Sequence, residues 1–173
     1  MMPGRFETAR LCVTPWGPRL SDGAGRAALE VALARLLSPA VTAHLPPALH
    51  PGTGAAAMAE WIAARRAESE VFLVEDKATG QLLGLLILAG GEESKPPVLH
   101  LGYLLAEVAW GQGYATEVLR GVVEAVSARG PALLLAGVDP ANPASARVLV
   151  KAGFQRDPAL STGPSEMYRL DLP

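Results

Sequence analysis

Cysteine is nearly absent: Cys12 is the one thiol in 173 residues, so no internal disulfide can form, and its apolar surroundings suit a small buried hydrophobe. An excess of one charge is missing too. Fifteen Lys and Arg stand against 17 Asp and Glu, a formal net charge of −2, which disfavours the broad basic surface of a nucleic-acid binder. No apolar run is long enough to span a bilayer; the longest, Leu82 to Ala89, falls far short of the roughly 20 residues required. The opening MMPGRFETAR has no apolar core of a signal peptide. The expectation is a cytoplasmic protein with neither a membrane nor a nucleic acid as partner.

What is present is a chain that should fold. Half of its residues are hydrophobic and 18% are charged, far from the composition of disordered chains. The length suits one compact domain over residues 1–173. A first strand is expected at Arg10 to Thr14, closed by Pro15, Gly17 and Pro18. Leu29, Val31, Leu33, Leu36 and Leu37 recur at helical spacing, which predicts a helix from about Gly25 to Leu37, capped by Ser21 or Asp22 and ended by Pro39. Residues 39–54, with Pro46 and Pro47 in tandem, read as a loop with a helical turn, followed by a helix from Ala55 to Glu68.

The turn sequence DKATGQ joins strand candidates Glu70 to Glu75 and Leu82 to Leu88 into a hairpin. The polar GEESKPP precedes a strand at Val98 to Leu105. From Gly113 the period becomes helical, with Val118, Leu119, Val122, Val123 and Val126 facing inward until Gly130 and Pro131 stop it. Leu133 to Val138 reads as a strand covered on both faces. A helix from Pro143 to Ala152, a strand near Phe154 and a last strand at Met167 to Leu172 complete a mixed α/β order without internal repeats.

The densest signal is HLGYLLAEVAWGQGYATEVL, residues 100–119, where a strand ends and a glycine-bearing turn opens into a helix. Such a junction leaves backbone N–H groups unpaired at the positive end of the helix. Gly111 and Gly113 carry no Cβ, so an anion can approach the main chain, and Glu117 in the first turn suits the helix dipole. A tight, well-packed turn is the other reading. No Gly-Lys-Ser/Thr follows, so this is not a Walker loop, and the third glycine of a dinucleotide fingerprint is missing.

The segment LGYLLAEVAWGQGYATEVL resembles the acetyl-CoA motif of the GNAT N-acetyltransferases. Of the family's Arg/Gln-x-x-Gly-x-Gly/Ala pattern, Trp110 holds the first position, Gly113 the fourth and Ala115 the sixth. Trp in the first position is shared with the ribosomal-protein N-terminal acetyltransferase branch (RimJ/RimL-like). VDPANPASARVLVKAGF, residues 138–154, resembles the family's strand, Asn-containing turn and following helix, and FETARL resembles the branch's opening strand. The resemblance implies an α/β GNAT fold: a mixed central sheet of about six to seven strands, splayed near the motif and flanked by about four helices.

It also implies acetyl-CoA as co-substrate, with no metal. By carry-over, the backbone of Leu104 and Leu105 pairs with pantetheine. Gly111, Gln112, Gly113, Tyr114, Ala115 and Thr116 cradle the diphosphate, and Asn142 and Ser145 stand near the thioester and pantetheine arm. Asn142 is equally suited to capping a helix, and Ser145 to an ordinary place in its first turn.

Acetyl transfer to an amine requires a neutral nucleophile, a donor to the developing oxyanion, and a path for protons off nitrogen and onto sulfur. Many family members place a tyrosine on the last helix as the acid, and Leu149 stands at that position here. Ser145, one turn earlier, is the nearest hydroxyl, and His100 on the strand before the motif has a pKa suited to a base. A half-buried strand histidine is the other reading of His100. Tyr103 and Trp110 read as packing residues, and His44 and His50 as loop residues that border the acceptor site. The acceptor is expected to be a peptide N-terminus or a small amine of modest charge, since no dense acidic patch suits a polycation. A silent acyl-CoA-binding module is the alternative of another class, and a homodimer is left open.

Overall fold

Alternating burial at Leu11, Cys12 and Val13 gives β2 (Leu11–Pro15) one inward face, and β1 (Phe6–Glu7) folds back on it as an antiparallel partner. The computed structural model describes residues 2–91 and 93–173. Within these, the strands continue as β3 (Glu70–Asp76), β4 (Leu82–Gly91), β5 (Val98–Leu105), β6 (Ala132–Val138), β7 (Gln155–Arg156) and β8 (Glu166–Leu172). They form one sheet in the order β1-β2-β3-β4-β5-β6-β8-β7. Every neighbouring pair is antiparallel except β5 and β6. A parallel pair needs a crossover, and α5 (Tyr114–Ser127) supplies it.

The other helices are α1 (Gly17–Ser21), α2 (Gly23–Leu36), α3 (Pro39–Thr42), α4 (Ala57–Glu68) and α6 (Pro143–Lys151). The mixed α/β architecture expected from the sequence is present, with eight strands and six helices among the described residues. The strand expected near Phe154 is β7. The additions are short: β1 has two residues, too few for an alternating pattern. α1 and α3 are short helices with Pro18 and Pro39 in their first turns, a residue whose fixed φ suits that position although it also punctuates loops. Pro39 thus starts α3, with Ser38 Oγ accepting from Val41 N at 3.3 Å. Asp22 caps α2 by accepting from Gly25 N at 2.7 Å. The polar stretch 91–97 holds residue 92, which lies outside the described residues.

The sheet is buried on both faces. One face packs Leu86, Leu88, Leu99 and Leu101 against Val118, Leu119, Val122 and Val126 of α5. The other packs Val71, Leu73, Leu85 and Leu104 against Leu29 and Leu33 of α2 and Trp61 and Ile62 of α4. Removing one such leucine side chain costs about 2–5 kcal/mol, so the strands that frame the site are rigidly held. Gly121 lets α5 approach the N-terminal hairpin closely: a Cβ there would come within 2.8 Å of both Phe6 and Thr8. Among the described residues no helix is long and apolar enough to cross a membrane.

Candidate active site

β5 and β6 are joined by three residue pairs, Val98 with Leu133, Leu99 with Leu134 and His100 with Leu135. β5 continues to Leu105 paired only with β4, and β6 continues to Val138 paired only with β8. The two strands therefore fork. Ala106 N donates to Leu83 O at 2.8 Å and Leu133 N to Pro97 O at 2.9 Å. By the alternation of an antiparallel ladder, these bonds turn the peptide groups of residues 101, 103 and 105 toward β6 and those of Leu104 toward Leu85 on β4.

Of the two residues assigned to pantetheine by resemblance, Leu105 thus turns its peptide groups into the fork. Leu104 lines the cleft while its own peptide groups face β4. The Leu105 carbonyl already accepts the indole N–H of Trp110 at 2.8 Å. That bond is the physical use of tryptophan at this position: it pins the turn to the end of β5.

Beyond the strand, the turn reaches α5 through two glycines with left-handed backbone, Gly111 at φ 71° and Gly113 at φ 82°. The first intrahelical bond runs from Glu117 N to Gly113 O at 3.1 Å, so the N–H groups of Tyr114, Ala115 and Thr116 have no partner inside the helix. Gly111, Gln112 and Gly113 are exposed around them. All six residues read from the sequence as a diphosphate cradle are gathered here, at the positive end of α5.

Sequence reasoning did not find what holds this turn. Arg10 on the N-terminal hairpin donates from Nε to Glu117 Oε2 at 2.8 Å and from its terminal amine to Gln112 O at 3.0 Å, and it lies 4.0 Å from the centre of the Tyr114 ring. Its backbone N–H reaches Glu117 Oε1 at 2.7 Å, and Thr8 Oγ1 donates to the same oxygen. Burial pushes the Glu117 carboxyl up, but the hydrogen bonds from Thr8 and Arg10 outweigh it and hold the group below the usual carboxylate range.

The cleft between the forked strands has a volume of about 220 Å³, below the roughly 300–1,000 Å³ that encloses a drug-sized ligand. A cleft of this size does not enclose a whole coenzyme. Asn142 caps α6, its Oδ1 accepting from Ser145 N at 3.2 Å. Ser145 Oγ lies 2.9 Å from the Tyr103 hydroxyl, so a residue read as packing meets the candidate hydroxyl inside the cleft. Burial pushes the Tyr103 phenol up, only partly offset by Ser145, which keeps it a protonated donor at neutral pH. Leu149, one turn beyond Ser145, is buried.

At the mouth, His44 Nδ1 lies 3.0 Å from Asp139 Oδ2 at the end of β6, and both residues line the cleft. The Asp139 carboxyl is held below its usual range by the Ala141 backbone N–H and then by His44. His50 faces inward to its own loop, its Nε2 2.9 Å from Leu45 O. His100 is exposed on β5 at the last rung before the fork and is not among the cleft-lining residues. Among the described residues, no group of three or more His, Cys, Asp or Glu is arranged to hold a metal ion.

The family model for the acetyltransferase (GNAT) domain matches residues 10–155, most of the chain. A curated relative, the uncharacterized protein YkkB of Bacillus subtilis (strain 168), is 34% identical over 85 residues, and the match spans about half the length of each protein, 49% of either. RimL, a ribosomal L7/L12 alpha-N-protein acetyltransferase solved in complex with coenzyme A, superposes with a TM-score of 0.68 at 15% identity, covering 95% of this chain and 96% of that one. The aminoglycoside acetyltransferase AAC(6')-Ib, solved with coenzyme A and kanamycin, gives a TM-score of 0.68 at 18% identity over 93% of this chain and 94% of that one. At such identities these likenesses establish the fold.

Proposed function

The chain belongs to the GNAT acetyltransferase family, and from that membership we propose that it transfers an acetyl group from acetyl-CoA to a primary amine, the N-terminal α-amine of a protein being the acceptor class. The observation that carries the reading is the pairing of two features at the end of β5. Peptide groups of residues 103 and 105 face an open fork, and a few residues later the α5 N-terminus offers unpaired N–H groups beside left-handed glycines. The first suits the amides of a pantetheine arm and the second a diphosphate.

The chemistry is direct attack. The amine nitrogen bonds to the acetyl carbonyl carbon, the C–S bond breaks, and the coenzyme leaves as thiolate. Ser145 Oγ, backed by the Tyr103 hydroxyl, is suited to hydrogen-bond that sulfur and pass it a proton. Serine is a poor acid in isolation, and the Tyr103 hydroxyl behind it can polarise its O–H through their shared hydrogen bond.

The acceptor follows from charge. Among the described residues, the one carboxylate lining the cleft is Asp139, already paired with His44, which offers little to a polycation and suits a single amine on an extended peptide. Calorimetric titration with acetyl-CoA tests the donor. Thiol release with serine- and alanine-initiated hexapeptides, tyramine and kanamycin tests the acceptor. Peptide turnover with little from kanamycin supports the reading; tyramine alone would move the acceptor to small amines, and coenzyme binding without any turnover would favour a silent binding module.

A further inference from the structure

We propose that His44 is the catalytic base that takes the proton of the acceptor amine, with Asp139 as its positioning residue. The inference rests on the acetyl-transfer reading and deepens it. The two residues are 95 positions apart, and the fold joins them at the cleft that also holds Tyr103, Asn142 and Ser145.

The hydrogen bond fixes the tautomer. Asp139 Oδ1 accepts the Ala141 N–H at 2.9 Å and Oδ2 meets His44 Nδ1 at 3.0 Å. An ionised carboxylate only accepts, so Nδ1 carries the hydrogen, and the lone pair of the neutral ring lies on Nε2. Nε2 has no hydrogen-bond partner among the described residues. A ring held in this way by a carboxylate is a base that is stabilised once it gains a proton.

The segment carrying His44 is anchored on both sides. Leu45 N donates to Thr42 O at 2.9 Å, His50 bonds Leu45 O at 2.9 Å, and Trp61 Nε1 of α4 donates to Leu49 O at 2.9 Å. Few other groups compete for the proton. β5 presents Tyr103 to the cleft and β6 presents Asp139; α6 contributes the uncharged Asn142, Ser145 and Leu149, and Ser165 before β8 is also uncharged.

The protons balance without a further reactant. The amine arrives as ammonium, His44 Nε2 takes one proton to free the lone pair, and the second nitrogen proton lost on forming the amide returns through water to the thiolate by way of Ser145. The imidazolium then releases its proton to solvent.

His44→Gln should lower kcat about 100-fold, leave the acetyl-CoA dissociation constant within twofold, and abolish the acidic limb of the kcat/KM pH profile. Asp139→Asn should move that limb to lower pH, because removing the anion destabilises the imidazolium. With peptide probes whose α-amines differ in pKa, the limb should stay at the same pH. An unchanged profile in His44→Gln, or loss of the limb in His100→Gln instead, would overturn the proposal. Nitrogen-15 NMR of the histidine rings gives a test that needs no acceptor. The signals lost in His44→Gln should report a neutral Nδ1–H form, and a neutral Nε2–H form would also overturn it. If the wild type acetylates no amine, the acetyl-transfer reading fails, while the ring spectrum still decides the His44–Asp139 arrangement.

Discussion

Arg10 and Glu117, 107 positions apart in sequence, meet through both a backbone and a side-chain hydrogen bond, at 2.7 and 2.8 Å. A carboxylate in the first turn suits the helix dipole, yet it stands where a diphosphate would also approach. Arg10 resolves the conflict by neutralising Glu117 while its other amine holds Gln112 O.

Replacing Arg10 with Gln should therefore raise the dissociation constant of coenzyme A about five- to tenfold, the effect of losing roughly 1–1.4 kcal/mol. Acetyl-pantetheine, which has no diphosphate, should bind as before. Calorimetry with the two ligands checks this, and equal losses for both would mean that the turn has simply come apart.

The same latch gives a pH dependence with a definite sign. The folded-state Glu117 carboxyl lies below its ordinary value, so its contribution to stability is fully present above the unfolded pKa of about 4.3 and is lost as pH falls through the folded value. The melting-temperature gap between wild type and Glu117→Gln should be widest near neutral pH and close in acid below about pH 4. A gap that does not narrow in acid would contradict it.

Gly113→Val tests the cradle through backbone conformation. A Cβ at this position meets Arg10 at 3.6 Å, an ordinary contact, so the obstacle is the φ of 82°, which costs a β-branched residue about 1–2 kcal/mol or more. Coenzyme affinity should fall at least about tenfold with the circular dichroism spectrum retained. Unchanged affinity would remove the diphosphate from this turn.

Tyr103→Phe removes the hydroxyl behind Ser145 and keeps the ring. We expect kcat to fall about tenfold, less than the roughly 100-fold or more of losing a general acid itself, with acetyl-CoA affinity nearly constant. If kcat holds in this variant but falls in Ser145→Ala, the serine acts without its partner.

The legible parts of the fold were those with strong periodicity or punctuation. β5 begins and ends at Val98 and Leu105, as expected after the polar GEESKPP, and α5 starts directly after Gly113. The proline at 39 serves twice: α2 ends before it, at Leu36, and its fixed φ opens the helical turn of α3. At the site, the glycine-bearing turn into α5 was legible because its six residues are consecutive. His44 with Asp139, Tyr103 with Ser145 and Arg10 with Glu117 could not, since each pair closes between elements distant in the chain. The available hint was position: Asp139 follows the end of a buried strand, where polar side chains of α/β sheets gather around ligands.

The three-rung seam between β5 and β6 divides the sheet into two leaves, one holding β1 to β5 and the other β6 to β8. Peptide groups beyond the seam have the chemistry of an exposed sheet edge, the kind of surface that recruits a foreign strand. A pantetheine arm with its own amides would act there as a missing rung, stitching the leaves together from within. A co-substrate bound in this way would be a structural member of the sheet, and its departure would leave the two leaves joined by three rungs alone.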